Sequence, residues 1–71
     1  MNTRVWFMQQ NEYGHDVDKL MVDNPTIIPR IGEFVDSDGP AGWVTHVQYN
    51  YAERITRFDV VINITLKESL S

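Results

Sequence analysis

Apolar and polar residues alternate with a period of two along two long stretches of this chain, the pattern of half-buried β-strands. From Arg57 to Lys67, Phe58, Val60, Ile62, Ile64 and Leu66 alternate with Arg57, Asp59, Asn63, Thr65 and Lys67, broken only by Val61. From Trp43 to Tyr51, Trp43, Thr45, Val47, Tyr49 and Tyr51 fall on one face and Val44, His46, Gln48 and Asn50 on the other. Ala52 to Thr56 form a polar connection of hairpin length between them, so the two strands are expected to pair antiparallel.

Shorter elements precede this hairpin. Arg4 to Gln9 reads as a first strand, Asn11 to Asp16 as a turn, and Val17 to Val22 as a return strand. Six residues are too few for periodicity to separate that return strand from a helical turn capped by Asp16. Asp23-Asn24-Pro25 then punctuates the chain, because proline restrains Asn24 and offers no N–H of its own. Pro29 fixes φ ahead of Gly32, a position suited to positive φ, and Glu33 to Val35 reads as a short strand. Ser37 to Gly42 is a loop. Val, Ile and Thr number 19 against two Ala, which favours sheet over helix. The expected fold is all-β: a small five-stranded barrel or curled antiparallel sheet. Its core would draw on Val5, Phe7, Leu20, Ile31, Phe34 or Val35, Val47, Phe58, Val60, Ile62 and Ile64.

The 71 residues hold no repeat or linker, so residues 1 to 71 are expected to form one domain. A core of this size rarely supplies more than about 3–5 kcal/mol. The chain has no cysteine, which removes disulfides and thiolate metal sites and fits a reducing compartment. The apolar run Val5 to Met8 is too short for a signal peptide or a membrane span, so a cytoplasmic location is expected. Trp6 and Met8 lie opposite Val5 and Phe7, which leaves the first strand apolar on both faces. A homodimer would cover the second face.

Charge changes the picture of partners. The net charge is −4, and residues 12 to 38 hold seven acids (Glu12, Asp16, Asp18, Asp23, Glu33, Asp36, Asp38) against Lys19 and Arg30. Six scattered basic residues cannot build the stripe that binds nucleic-acid phosphates. An acidic stretch can keep a protein soluble, or it can meet a basic protein.

Candidate chemistry is sparse. Asp36-Ser37-Asp38-Gly39 opens like a calcium loop, but the twelfth position, which needs a bidentate Glu, is Val47. A polar turn accounts for the tetrapeptide better. His15 and His46 show no metal-binding spacing, and no partner or nucleophile accompanies either. No catalytic residue, metal or cofactor is therefore expected. The remaining resource is aromatic: Trp43, Tyr49 and Tyr51 share a face under strict alternation, and such residues dominate interface hot spots. With Asp36 and Asp38 they form the candidate protein-binding set. The same rings could instead stack on a single-stranded nucleic acid.

Ile28-Pro29-Arg30-Ile31-Gly32-Glu33-Phe34-Val35, followed by Gly42-Trp43-Val44 and Val47-Gln48-Tyr49, resembles a pattern in short bacterial and phage proteins. In these a Pro-Arg-apolar-Gly-acid-x-Val turn opens a strand and two long strands close an SH3-like barrel. The resemblance covers residues 25 to 66. It implies that fold and an accessory product of a phage or mobile element, and it implies no catalytic residue. The expected function is non-enzymatic: an accessory or inhibitory factor that occupies a basic surface of a larger host or viral protein. A single-stranded nucleic-acid-binding barrel and a structural subunit of a larger assembly are the alternatives.

Overall fold

The computed structural model describes residues 2–51 and 57–70, and the expected 52–56 connection lies outside them. Five strands follow in chain order: β1 (Thr3–Gln10), β2 (Asp16–Asp23), β3 (Phe34–Val35), β4 (Gly42–Tyr51) and β5 (Val60–Lys67). They form one sheet, ordered β2-β1-β5-β4-β3 and curled into a half-barrel. The fold is all-β. Residues 16–23 are strand rather than helical turn, and β4 and β5 pair antiparallel, with Tyr51 opposite Val60 and Trp43 opposite Lys67. The sheet is mixed, because β1 lies parallel to β5, with Val5 opposite Ile62 and Phe7 opposite Ile64.

The hairpin between β1 and β2 turns on Asn11, whose Oδ1 accepts from the N–H groups of Tyr13 and His15 at 2.9 and 3.0 Å. At the other end of β1, the Asn2 N–H donates to the Asp59 carboxylate at 2.7 Å and the Thr3 N–H to Asn24 Oδ1 at 2.8 Å. These bonds tie the start of β1 to both of its neighbours.

One face of the sheet carries the core. Val5, Phe7, Val44, Val60, Ile62, Ile64 and Leu66 are buried, and Val22, Ile28, Val35 and Val47 pack against them. The chain between β2 and β4 covers this face. Ile28 and Val35 contribute side chains, Pro40 is fully buried, and the Ala41 N–H donates to Gln9 Oε1 at 3.0 Å. A single sheet thus encloses its core by laying its own long connection across it.

Three expected core assignments need correction, and the choice between Phe34 and Val35 falls to Val35. Leu20 sits opposite Phe7, but β2 is the outermost strand, where the cover ends, and the side chain is exposed. Ile31 is exposed on the connecting segment. Phe34, rather than Val35, turns outward, where its ring meets Trp43 edge-on with centroids 5.1 Å apart. Phe58 is half-buried outside the core cluster, with the Arg4 guanidinium 4.2 Å above its ring. Val44 and Leu66 take their places.

The face assignment of β4 is also corrected. The pairing register shifts between Val44 and His46, so Thr45 is the extra residue of a β-bulge. Residues opposite one another in a ladder share a face. Val44, Val47, Tyr49 and Tyr51 therefore lie with Leu66, Ile64, Ile62 and Val60 on the core face. Trp43, His46, Gln48 and Asn50 lie with Lys67, Thr65, Asn63 and Val61 on the outer one.

Candidate protein-binding surfaces

Strict alternation joins Trp43 to Tyr49 and Tyr51, and the bulge at Thr45 separates them. Trp43 is half-buried on the outer face against Phe34. Tyr49 and Tyr51 share the core face, beyond the point where the connecting segment covers it, and stand 52% and 75% exposed. Beside them Pro29, Arg30, Ile31, Val47 and Tyr49 line a shallow hollow. Only the long path from Pro29 back to β4 brings Ile31 to Tyr49, so no local pattern could have revealed it.

Asp36 and Asp38 lie at the opposite end of the molecule. Asp36 follows Val35, which pairs with Gly42, and nine residues of strand at about 3.3 Å each place Tyr51 some 30 Å from Gly42. The five candidate residues therefore fall into three places. The loop they open is a self-contained turn: Ser37 Oγ donates to the Pro40 carbonyl and accepts from the Gly39 N–H.

Acids from distant parts of the chain converge at this end. A Cβ on Gly39 would lie 3.5 Å from an Asp18 carboxylate oxygen, which brings the Asp38 loop against β2. Asp16 accepts from Gln10 Nε2 at 3.1 Å, and Glu12 and Glu68 line one depression with Lys67. Glu12, Asp16, Asp18, Asp36, Asp38 and Glu68 thus gather near the ends of β1 and β5, with Lys19 and Lys67 close by. Glu68 joins because β5 ends where β1 ends, which a tally along residues 12 to 38 misses.

The other end holds an ion pair. Arg4 and Asp23 form the one ion pair among the described residues, with Nε and Nη2 donating to the two carboxylate oxygens at 2.8 and 3.1 Å. The hydrogen bonds from Arg4, aided by its charge, hold the Asp23 carboxyl below its ordinary range against a smaller opposing effect of desolvation.

The histidines are not brought into a common cluster. His15 belongs to the β1–β2 turn, and His46 lies on the outer face of β4, its Nδ1 3.1 Å from Thr45 Oγ1. Among the described residues no three His, Cys, Asp or Glu side chains are grouped to hold a metal ion, and no helix is long and apolar enough to cross a membrane. No protein-family model, curated protein or solved structure matches the chain.

Proposed function

We propose that this chain is a non-enzymatic binding protein whose acidic end occupies a basic surface of a larger host or viral protein. The observation that carries this reading is the convergence of six carboxylates from four chain segments at one end of the sheet. Clustered like charges raise the energy of the free protein, and a complementary cationic surface relieves that cost while speeding encounter. Such a protein would compete with DNA or RNA for the basic groove of a nucleic-acid-handling enzyme. That role suits an accessory factor of a phage or mobile element, the group that residues 25 to 66 resemble. The rival reading, single-strand nucleic-acid binding, loses one of its three rings, since Trp43 faces away from Tyr49 and Tyr51.

The test is affinity capture from the native host at low salt, with retained proteins identified by mass. The parent is expected to retain a basic protein that the triple variant Asp16→Asn/Asp18→Asn/Asp38→Asn loses. Equal retention by both proteins would overturn the reading, as would tight binding of a single-stranded oligonucleotide by the parent at about 100 mM salt.

A further inference from the structure

The sheet has two edges, and they are built differently. β2 spends four of its eight residues on Asp16, Asp18, Lys19 and Asp23, and the Lys19 N–H is taken by Asp18 Oδ1 at 2.8 Å. Charge on an edge strand deters another strand from adding to it. The outer side of β4 is different. β3 covers it only at Gly42 and Trp43, and Gly32 and Glu33 add backbone bonds to Val44. Past Val44, among the described residues, no backbone hydrogen bond reaches that side of β4. From Thr45 to Tyr51 the strand holds no Asp, Glu, Lys, Arg or Pro. An uncharged, β-prone strand with an open row of N–H and C=O groups is a template for pairing.

We propose that this free edge, Val47 to Tyr51, seats a second copy of the chain, paired antiparallel about Tyr49 so that two sheets become one. Three observations select a copy as the occupant. First, the segment is self-complementary. Tyr49 meets the partner's Tyr49, Val47 meets the partner's Tyr51, and Gln48 meets the partner's Asn50, which are aromatic, aromatic–branched and amide pairs that stabilise antiparallel ladders.

Second, the pairing keeps like charges apart. Each chain carries a net −4, but its acidic end lies by Gly42, seven residues from the two-fold axis at Tyr49. At about 3.3 Å per residue the two acidic ends point to opposite poles, each roughly 20 Å from the axis and well beyond a Debye length of about 8 Å. Third, the arrangement fills the hollow beside the edge. The partner's Tyr51, opposite Val47 and on its face, comes to rest over Pro29 and Ile31, covering an isoleucine that is 65% exposed in the single chain. The dimer leaves both acidic ends free, so it is independent of the function proposed above and would make that binding bivalent.

Sedimentation equilibrium at tens of micromolar tests this. The parent is expected at twice the 8.3 kDa of one chain. Tyr49→Lys/Tyr51→Lys is expected at the single-chain mass with an unchanged far-ultraviolet spectrum, and Trp6→Glu is expected to stay dimeric. Because the chain has no cysteine, Tyr49→Cys gives a second readout that does not depend on the lysine variant folding. Residues facing each other across an antiparallel pair lie within the span of a disulfide, so mild oxidation should link Tyr49→Cys to itself and leave Asp18→Cys unlinked. A parent that stays at 8.3 kDa throughout overturns the proposal. So does a dimer that survives both lysines, or one lost on Trp6→Glu alone, which would place the partner on the outer face of β1.

Discussion

Val44 and Val47 face the same core although three positions separate them on one strand. Thr45 occupies a bulge between them, so Val44 packs opposite Leu66 and Val47 opposite Ile64. The bulge decides which residues of β4 are hidden and which are presented. It turns Trp43 outward to Phe34 and leaves Tyr49 and Tyr51 on the core face where the cover stops. Deleting Thr45 would leave Val44, His46 and Val47 in plain alternation opposite Leu66, Thr65 and Ile64, so each keeps its face and only the bulge's local bend and twist are lost. The deletion is expected to keep a cooperative urea transition, and loss of that transition would show that another residue of β4 is the extra one.

The burial pattern predicts unequal costs for similar truncations. Ile64 is completely buried between β1 and β4, so Ile64→Ala should cost about 2–5 kcal/mol, enough to unfold much of the population of so small a domain. Leu20→Ala, on the outermost strand and 38% exposed, should cost about 1 kcal/mol or less. Urea denaturation followed by tryptophan fluorescence separates the two outcomes. Equal losses would mean that β2 is covered in solution.

Gly42 is required by a close approach. Its φ is +151°, and a Cβ there would meet the Lys67 carbonyl oxygen at 2.7 Å, a backbone atom of β5 that cannot step aside. Gly42→Ala should destabilise by about 2 kcal/mol or more, through backbone strain and separation of β4 from β5. Thermal unfolding measures it. Restoration of the midpoint by any second change confined to the Lys67 side chain would argue against this cause, because the clash is with backbone.

The Arg4–Asp23 pair gives a pH dependence of definite sign. The Asp23 carboxyl titrates below its ordinary 3.8 because it accepts hydrogen bonds from Arg4. A carboxyl lowered in the folded state stabilises above its unfolded pKa, and that contribution is lost as the pH falls through the lowered folded value. Parent stability should therefore drop below about pH 4 more steeply than that of Asp23→Asn. Urea midpoints from about pH 5 to about pH 2.5 test the difference, and parallel curves for the two proteins would show that the pair contributes nothing to acid stability.

Much of the fold was legible because β5 alternates without a bulge. Val60, Ile62, Ile64 and Leu66 are all buried, as period two requires, and the antiparallel pairing with β4 follows from the short connection. The parallel β1–β5 pairing was hidden, because it joins residues nearly sixty positions apart and leaves no local mark. The bulge was hidden as well, since Thr45 is an ordinary strand residue and only the partner strand shows that it is one too many. The candidate surface suffered from both. The bulge moved Trp43 to the other face, and the folding of residues 25 to 41 across the sheet brought Ile31 to Tyr49 and Gly39 of the acidic loop to Asp18. The acidity of residues 12 to 38 was plain, but its focus at one end depended on β2 and the Asp38 loop meeting.

An acidic end that docks on a basic surface must bind more weakly as salt rises, because screening weakens attraction between exposed charges. With the captured partner purified, its affinity for this chain is to be measured between about 50 and 300 mM salt, for the parent and for Asp16→Asn/Asp18→Asn/Asp38→Asn. Affinity should fall by about tenfold or more over that range for the parent, while the triple variant should bind more weakly at low salt and depend on salt less steeply. An affinity unchanged by salt, or a triple variant with the parental slope, would contradict docking through the acidic end.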